Sequence, residues 1–215
     1  LDAKRNAEIR IQGLINRLIA EAELKRKAEE ERLAKEKLKA RSKKLASKSN
    51  SNIEKPDIAE QQHYDVDLSA LPTGQAGSGM SSFAALKGRM NWPVSSGKII
   101  RNFGENRNEK LNTVTLNYGI DIKTSSDADV RAVSDGVVSA IDWLPGYGSV
   151  LILTHKGEFR TVYSHLSEIY VKEGSHVSTG SVIGRVGESL DGSVLHFEIW
   201  NSRNKQNPES WLTRR

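Results

Sequence analysis

From residue 97 onward the chain is a succession of short β-rich runs closed by glycines, and this limits its fold more than any other feature. The runs lie at 97–104, 119–122, 130–133, 136–143, 148–155, 158–165, 182–186 and 195–200, with Val177 alone between two of them. Trp92-Pro93-Val94 precedes the first run and opens the domain. Ser134-Asp135-Gly136 has the composition of a tight turn, which predicts that 130–133 pairs with 136–143. Lys156-Gly157 predicts a hairpin of 148–155 with 158–165. No helical pattern alternates with these runs, which argues against a doubly wound α/β sheet. The expected class is mainly β, an antiparallel sheet or small sandwich.

The first 48 residues have the opposite character. Ala, Leu, Glu, Lys and Arg dominate, without proline and with one glycine, Gly13. One long helix is predicted. Its first half carries an apolar stripe of Ile11, Ile15, Leu18 and Ala22, widened by Leu14 and Ile19. Such a stripe must pack on something, either a coiled-coil strand or a surface of the same chain. In its second half Ala28, Leu33 and Leu38 stand among charges that can pair four residues apart. Helicity is expected to fade at 47–52, and Pro56 makes continuation unfavourable. The predicted division is a helical segment at 1–48, a linker at 49–82 and a β domain at 83–215. Within the linker, 65–71 has enough alternation to dock as a short extended piece or turn. A short helix over 83–87 is expected after a cap at Ser81 or Ser82, with Gly88 stopping it.

The chain's net charge is +5. Residues 1–48 hold 15 Lys/Arg and 8 Asp/Glu, a local +7, which leaves −2 for residues 49–215. The positive charge is interleaved with Glu along a helix and lacks stacking aromatics, so a nucleic-acid partner is not expected. There is no cysteine, hence no disulfide, thiolate metal site or thiol nucleophile. No run reaches transmembrane length. The chain begins at Leu1 within a helical pattern and reads as a fragment or processed chain, so the lack of a visible signal peptide says little.

Five histidines are the starting point for chemistry. His63 lies in the linker. His155 at a hairpin turn and His176 in a Gly/Ser-rich loop are expected at the surface. His165 and His196 lie near the ends of apolar strands, each close to an aromatic residue. Spacing alone fits a structural histidine at both places as well as a site. Asp121, between Ile120 and Ile122, is a carboxylate in a strand-like run, and if it points inward it must be paired or ligate something.

Three groups of residues carry a resemblance: Asn117-Tyr118-Gly119-Ile120-Asp121, Tyr163-Ser164-His165-Leu166 and Val194-Leu195-His196-Phe197-Glu198-Ile199. With Phe103-Gly104, Ala132-Val133-Ser134-Asp135-Gly136 and Gly146-Tyr147-Gly148, they make residues 88–212 similar to the LytM-type, or M23-type, zinc metallopeptidase domain. In that family a His-x-x-x-Asp motif gives two zinc ligands, and a late His-x-His gives a catalytic His and then the third ligand. The resemblance places Asp121 and His196 on ligand positions and His165 on an assisting position. Asn117 falls on the first ligand position and Val194 on the catalytic His. Two ligands do not hold a catalytic zinc firmly, and an Asn amide is a poor replacement for imidazole. Loss of the proton-transfer group removes a further factor of about 10²–10⁴. The expectation is a degenerate site with no metal, no cofactor and no catalysis. Its trough, lined by Asn117, Asp121, Tyr147, Tyr163, His165, His196 and Trp200, is then expected to hold a peptide or helix. The glycines around Tyr147 favour its exposure, and alternation places Trp200 on the face of His196 and Glu198.

The layout of charged helix, linker, Phe83–Val94 run and degenerate domain resembles the EnvC-type murein hydrolase activators. The resemblance is detailed over 83–212 and architectural over 1–48. It implies a periplasmic protein at the division site that activates N-acetylmuramoyl-L-alanine amidases, with a coiled coil engaged by the FtsE-FtsX complex. It also implies that a helix can cover the groove, here through Ile11, Leu14, Ile15, Leu18, Ile19 and Ala22. Trp200 departs from the pattern, because Arg often follows Phe-Glu-Ile in these activators. Two rival readings are a residual zinc-dependent peptidoglycan endopeptidase and a catalytically dead peptidoglycan-binding module.

Overall fold

The computed structural model describes residues 2–49, 82–108, 112–189 and 191–215, and side chains within the helix at 5–40 and 42. His63 and the 65–71 segment lie outside the described residues. Residues 1–19 with 81–215 form one compact unit, and residues 20–80 form a second. The helix α1, Asp2–Ser49, runs through the predicted 1–48 segment. In the second unit the described apolar side chains of the helix are solvated, Leu24, Leu33 and Leu38 among them.

The β domain contains β1 Lys98–Arg101, β2 Gly104–Asn108, β3 Thr113–Asn117, β4 Ile120–Lys123, β5 Asp129–Arg131, β6 Gly136–Leu144 and β7 Gly148–Thr154. It continues with β8 Phe159–Ile169, β9 His176–Val177, β10 Val182–Val186, β11 Glu188–Ser189, β12 Gly192–Asn201 and β13 Asn204–Gln206. The main sheet has the order β1-β4-β12-β8-β7-β6-β9. β10 joins β5 to β8, β11 and β13 flank β12, and β2–β3 is a separate ribbon. The described strand pairs are antiparallel, as the alternating runs and short connections require. The predicted β7–β8 hairpin forms, with Gly157 in the left-handed region at φ 77°.

Two expectations about turns fail. β5 and β6 do not pair around Asp135-Gly136; β5 pairs with β10, and β6 with β7 and β9. The Asp135 carboxylate instead accepts from the Thr179 amide at 2.7 Å and hydroxyl at 2.8 Å, tying its loop to a distant one. His155 is also not a surface residue, being 5% exposed. Its Nδ1 lies 2.8 Å from the Asp135 carbonyl and its Nε2 2.8 Å from Thr161 Oγ1, so hydrogen bonds make its burial tolerable. The β2–β3 ribbon was not anticipated, although Thr113-Val114-Thr115-Leu116 does alternate.

The main sheet is apolar on both faces. One face packs Ile120, Ile122, Leu151, Leu153, Phe197 and Ile199 against Phe83, Met90, Trp211 and Leu212. Phe83 opens a 3-10 turn, Phe83–Leu86, and stacks on Phe159 at 4.7 Å. Ser82 precedes that turn but makes no side-chain cap. The other face presents Ala140, Leu144, Tyr147, Val150, Ile152, Val162 and Trp200 to α1. There the helix buries Ala7, Ile11, Ile15 and Ile19, one row of residues four apart, with Leu14 and Leu18 half-buried beside it. Ala22, expected on this face, falls off the row and is exposed. Complete burial of an isoleucine contributes about 1.5–3 kcal/mol, so the row is a substantial docking surface.

Candidate functional site

The helix-covered face is built on β12. Strand alternation puts Val194, His196, Glu198 and Trp200 on one side and Leu195, Phe197 and Ile199 on the other. Register places His196 opposite Asp121 on β4 and Ser164 on β8. Gly119 permits the β4 approach, because a Cβ there would collide with the Phe197 carbonyl oxygen. A buried chain results: His196 Nδ1 to Asp121 Oδ1 at 2.6 Å, His196 Nε2 to Glu198 Oε1 at 2.9 Å, and Trp200 Nε1 donating to Glu198 Oε2 at 2.6 Å. Arg101 Nη1 adds a charge 3.6 Å from Asp121 Oδ2. Burial opposes a charge on His196, but the hydrogen bonds to Asp121 and Glu198 and their negative charges outweigh it and raise its pKa to about 10. His196 is therefore an imidazolium with both ring nitrogens donating.

Tyr147 and His165 flank this chain. The Tyr147 ring stacks on His165 at 5.5 Å and meets His196 edge-on at 4.8 Å. His165 has φ 64°, at a register irregularity between β7 and β8. Its amide donates to the Tyr147 carbonyl at 2.7 Å. This bulge turns His165 to the helix-covered face. Tyr163, two residues earlier, stays on the opposite face. It packs on Phe197, and its hydroxyl oxygen accepts from the Val133 amide and the Thr161 hydroxyl, each at 3.2 Å. Burial pushes its pKa up to about 12. Tyr163 is thus a core residue and not part of the groove, because the pairing of Tyr163 with Phe197 fixes its side. Tyr147, expected to be exposed, is only 4% exposed beneath α1.

The helix brings one carboxylate into the site. Tyr147 Oη donates to Glu8 Oε1, and Glu8 Oε2 lies 3.7 Å from Lys205 Nζ. Lys205 Nζ sits 3.1 Å from the centroid of the Tyr118 ring and 4.9 Å from that of Trp200, both within cation–π range. Burial raises the Glu8 pKa, and the Glu198 charge adds to this; Tyr147, His196 and Lys205 pull it back. Burial and the nearby carboxylates hold the Tyr147 phenol far above its ordinary pKa, so it remains a donor. Sequence reasoning missed Ala7, Glu8 and Lys205. The available signal was an acid beside a small residue at the start of the Ile11-Ile15-Ile19 row.

The residues do not fit a catalytic zinc. Asn117 ends β3 in a mostly buried position, and its Nδ2 has no hydrogen-bond partner among the described residues. Val194 is buried and offers no donor atom. Asp121 Oδ1 is engaged by His196, whose ring must give up a proton before it can ligate a metal. Ligand atoms of Glu8, His196 and Glu198 come within 4.8 Å of one another, but the same two hydrogen bonds occupy that ring. The arrangement suits holding a covering helix.

Residues 115–208 match the model of peptidase family M23. The chain is 31% identical over 198 residues to murein hydrolase activator EnvC of Escherichia coli strain K12, covering 91% of this chain and 43% of that protein. It is 32% identical over 152 residues to murein hydrolase activator NlpD of Salmonella dublin, covering 70% of this chain and 38% of that protein. It thus spans less than half the length of either relative. A solved zinc-containing peptidase from Vibrio cholerae superposes with TM-score 0.50 and 29% identity, over 55% of this chain and 38% of that one.

Proposed function

We propose that this chain, which carries a peptidase family M23 domain, is a non-catalytic activator of periplasmic N-acetylmuramoyl-L-alanine amidases acting on septal peptidoglycan. The observation that carries the reading is the site itself. By the resemblance Asn117 and Val194 stand at a ligand and a catalytic position, and His196 is held by hydrogen bonds between Asp121 and Glu198. Such a site is poorly equipped to hold the metal that would make a bound nucleophile. Relatives named as murein hydrolase activators support the same reading.

The groove is the docking surface, and α1 restrains it. The row Ala7, Ile11, Ile15 and Ile19 covers Trp200, Val162, Ile152 and Tyr147. An amidase segment binding there must displace this row. A complex such as FtsE-FtsX, acting through the coiled coil to which α1 belongs, activates only by binding the open state more tightly than the closed one. Residues 1–48 then form the restraining arm, 49–82 the linker and 83–215 the activating domain.

A reconstitution with labelled murein tests the reading. The chain alone should release no label, and adding it to a periplasmic amidase should increase release. Chelator-sensitive digestion by the chain alone would identify a residual endopeptidase instead. Retention on murein without any effect on an amidase would identify a wall-binding module.

A further inference from the structure

The covering helix touches the groove in two chemically different ways. The isoleucine row fills an apolar surface, which many amphipathic helices could do. Glu8 makes the other contact. Its side chain is 11% exposed and that of Lys205 18%, so the pair is largely out of water. Tyr147 supplies an O–H to the carboxylate, and the Tyr118 and Trp200 rings hold Lys205 within 3.7 Å of it. An occupant without an acid here would take the carboxylate acceptor from the Tyr147 hydroxyl and the counter-charge from Lys205. Losing one partner of such a pair is more costly than the pair is favourable. A site built to hydrogen-bond one group rejects an occupant that lacks it.

We propose that the groove reads a carboxylate. It takes a helix with an acidic side chain one residue after a small one, and aliphatic residues four, eight and twelve positions after that small residue, as in Ala7-Glu8, Ile11, Ile15 and Ile19. The amidase that docks on the groove presents a helix of this kind, and its acid replaces Glu8 on Tyr147 and Lys205. The proposal rests on the groove being a docking surface. It adds the chemistry that selects the occupant.

The probe is a fluorescein-labelled synthetic peptide of residues 5–22, compared with the same peptide carrying Glu8→Gln. The receptor is the full chain with Ile11→Asp and Ile15→Asp, which unseat its own helix. The parent peptide should bind, and the Gln peptide should bind about tenfold or more weakly, the range for a charge-assisted hydrogen bond. Adding Lys205→Met or Tyr147→Phe to the receptor should shrink that ratio toward one. Equal binding of the two peptides, or binding of neither, overturns the proposal. A second measurement needs no unseated helix. In the intact chain, Glu8→Gln should speed amide exchange over residues 7–19 by a similar factor while the β7 and β8 amides stay unchanged. No change at 7–19 also overturns it. Neither assay contains an amidase, so failure of the activator reading is seen separately, as murein release that the chain does not increase.

Discussion

The Tyr147 hydroxyl donates to the carboxylate of Glu8, 139 positions earlier in the chain. This bond joins a turn of the sheet to the helix that covers it, beside the ring of His196. His196 is thereby enclosed by side chains from β4, β12, the 144–148 turn and α1.

The first prediction concerns helix docking. Ile15 is fully buried in the middle of the row, between Ile11 and Ile19. Ile15→Asp removes about 1.5–3 kcal/mol of apolar burial and places an unpaired charge against the sheet. Amide exchange over residues 7–19 should rise by at least about tenfold, which corresponds to the lower end of that range. Amidase stimulation should rise with it. Faster exchange with unchanged stimulation would separate the helix from regulation.

Trp200 gives a second, independent prediction. It is fully buried, and its indole donates to Glu198 Oε2. Trp200→Phe leaves that carboxylate oxygen short of a donor and opens space beside Val162, a loss of about 1–3 kcal/mol. For a chain of this size the melting temperature should fall by roughly 2–4 °C per kcal/mol. Trp143, 62% exposed, is the control, and Trp143→Phe should leave the melting temperature where it was. Equal melting of the two variants would show that the indole–Glu198 bond contributes nothing.

Much of this architecture could be read from the residues. Alternation along 195–200 put His196, Glu198 and Trp200 on one face, and the isoleucine row marked a helix surface in need of a partner. What periodicity could not supply were the departures from it. The bulge at His165 separates two residues that a regular strand would have kept together, so Tyr163 was assigned to the groove. Asp135-Gly136 has the composition of a hairpin turn, but the Thr179 contacts and the close approach of Gly136 to His155 settle its role at long range. Glu8 and Lys205 were missed for the same kind of reason. Each is an ordinary surface residue type, and only the tertiary fold brings the two within 3.7 Å.

The two buried histidines should have pKa values shifted in opposite directions. His196 faces Asp121, Glu198 and, from α1, Glu8, and its pKa of about 10 lies above the ordinary 6.5. Its contribution to stability is complete below pH 6.5 and is lost as pH rises from there through about 10. His155 is neutral, because burial lowers its pKa to about 4 despite the Asp135 carbonyl. Its contribution is complete above 6.5 and is lost as pH falls toward 4. Ring resonances followed by NMR across both limbs would check this. A His196 ring that loses its proton near pH 6.5 would mean that the Asp121–His196–Glu198 chain does not form in solution.

Metal content gives the last prediction, since residues 115–208 match the model of peptidase family M23. After equilibration with zinc and exhaustive dialysis, the parent chain should retain substoichiometric metal, because Asn117 offers an amide and both His196 ring nitrogens are engaged by carboxylates. Asn117→His supplies an imidazole four residues before Asp121, the spacing of the His-x-x-x-Asp motif, so retention should increase. Binding should also release a proton, because His196 must lose one before it can ligate. Retention should therefore strengthen as pH rises, and the His196 titration near pH 10 should vanish from the zinc-loaded variant. Combining the change with Ile15→Asp should speed loading, because α1 covers this face in the resting chain. One full equivalent of zinc in the unaltered chain would show that the site still binds metal, and would revive the endopeptidase reading.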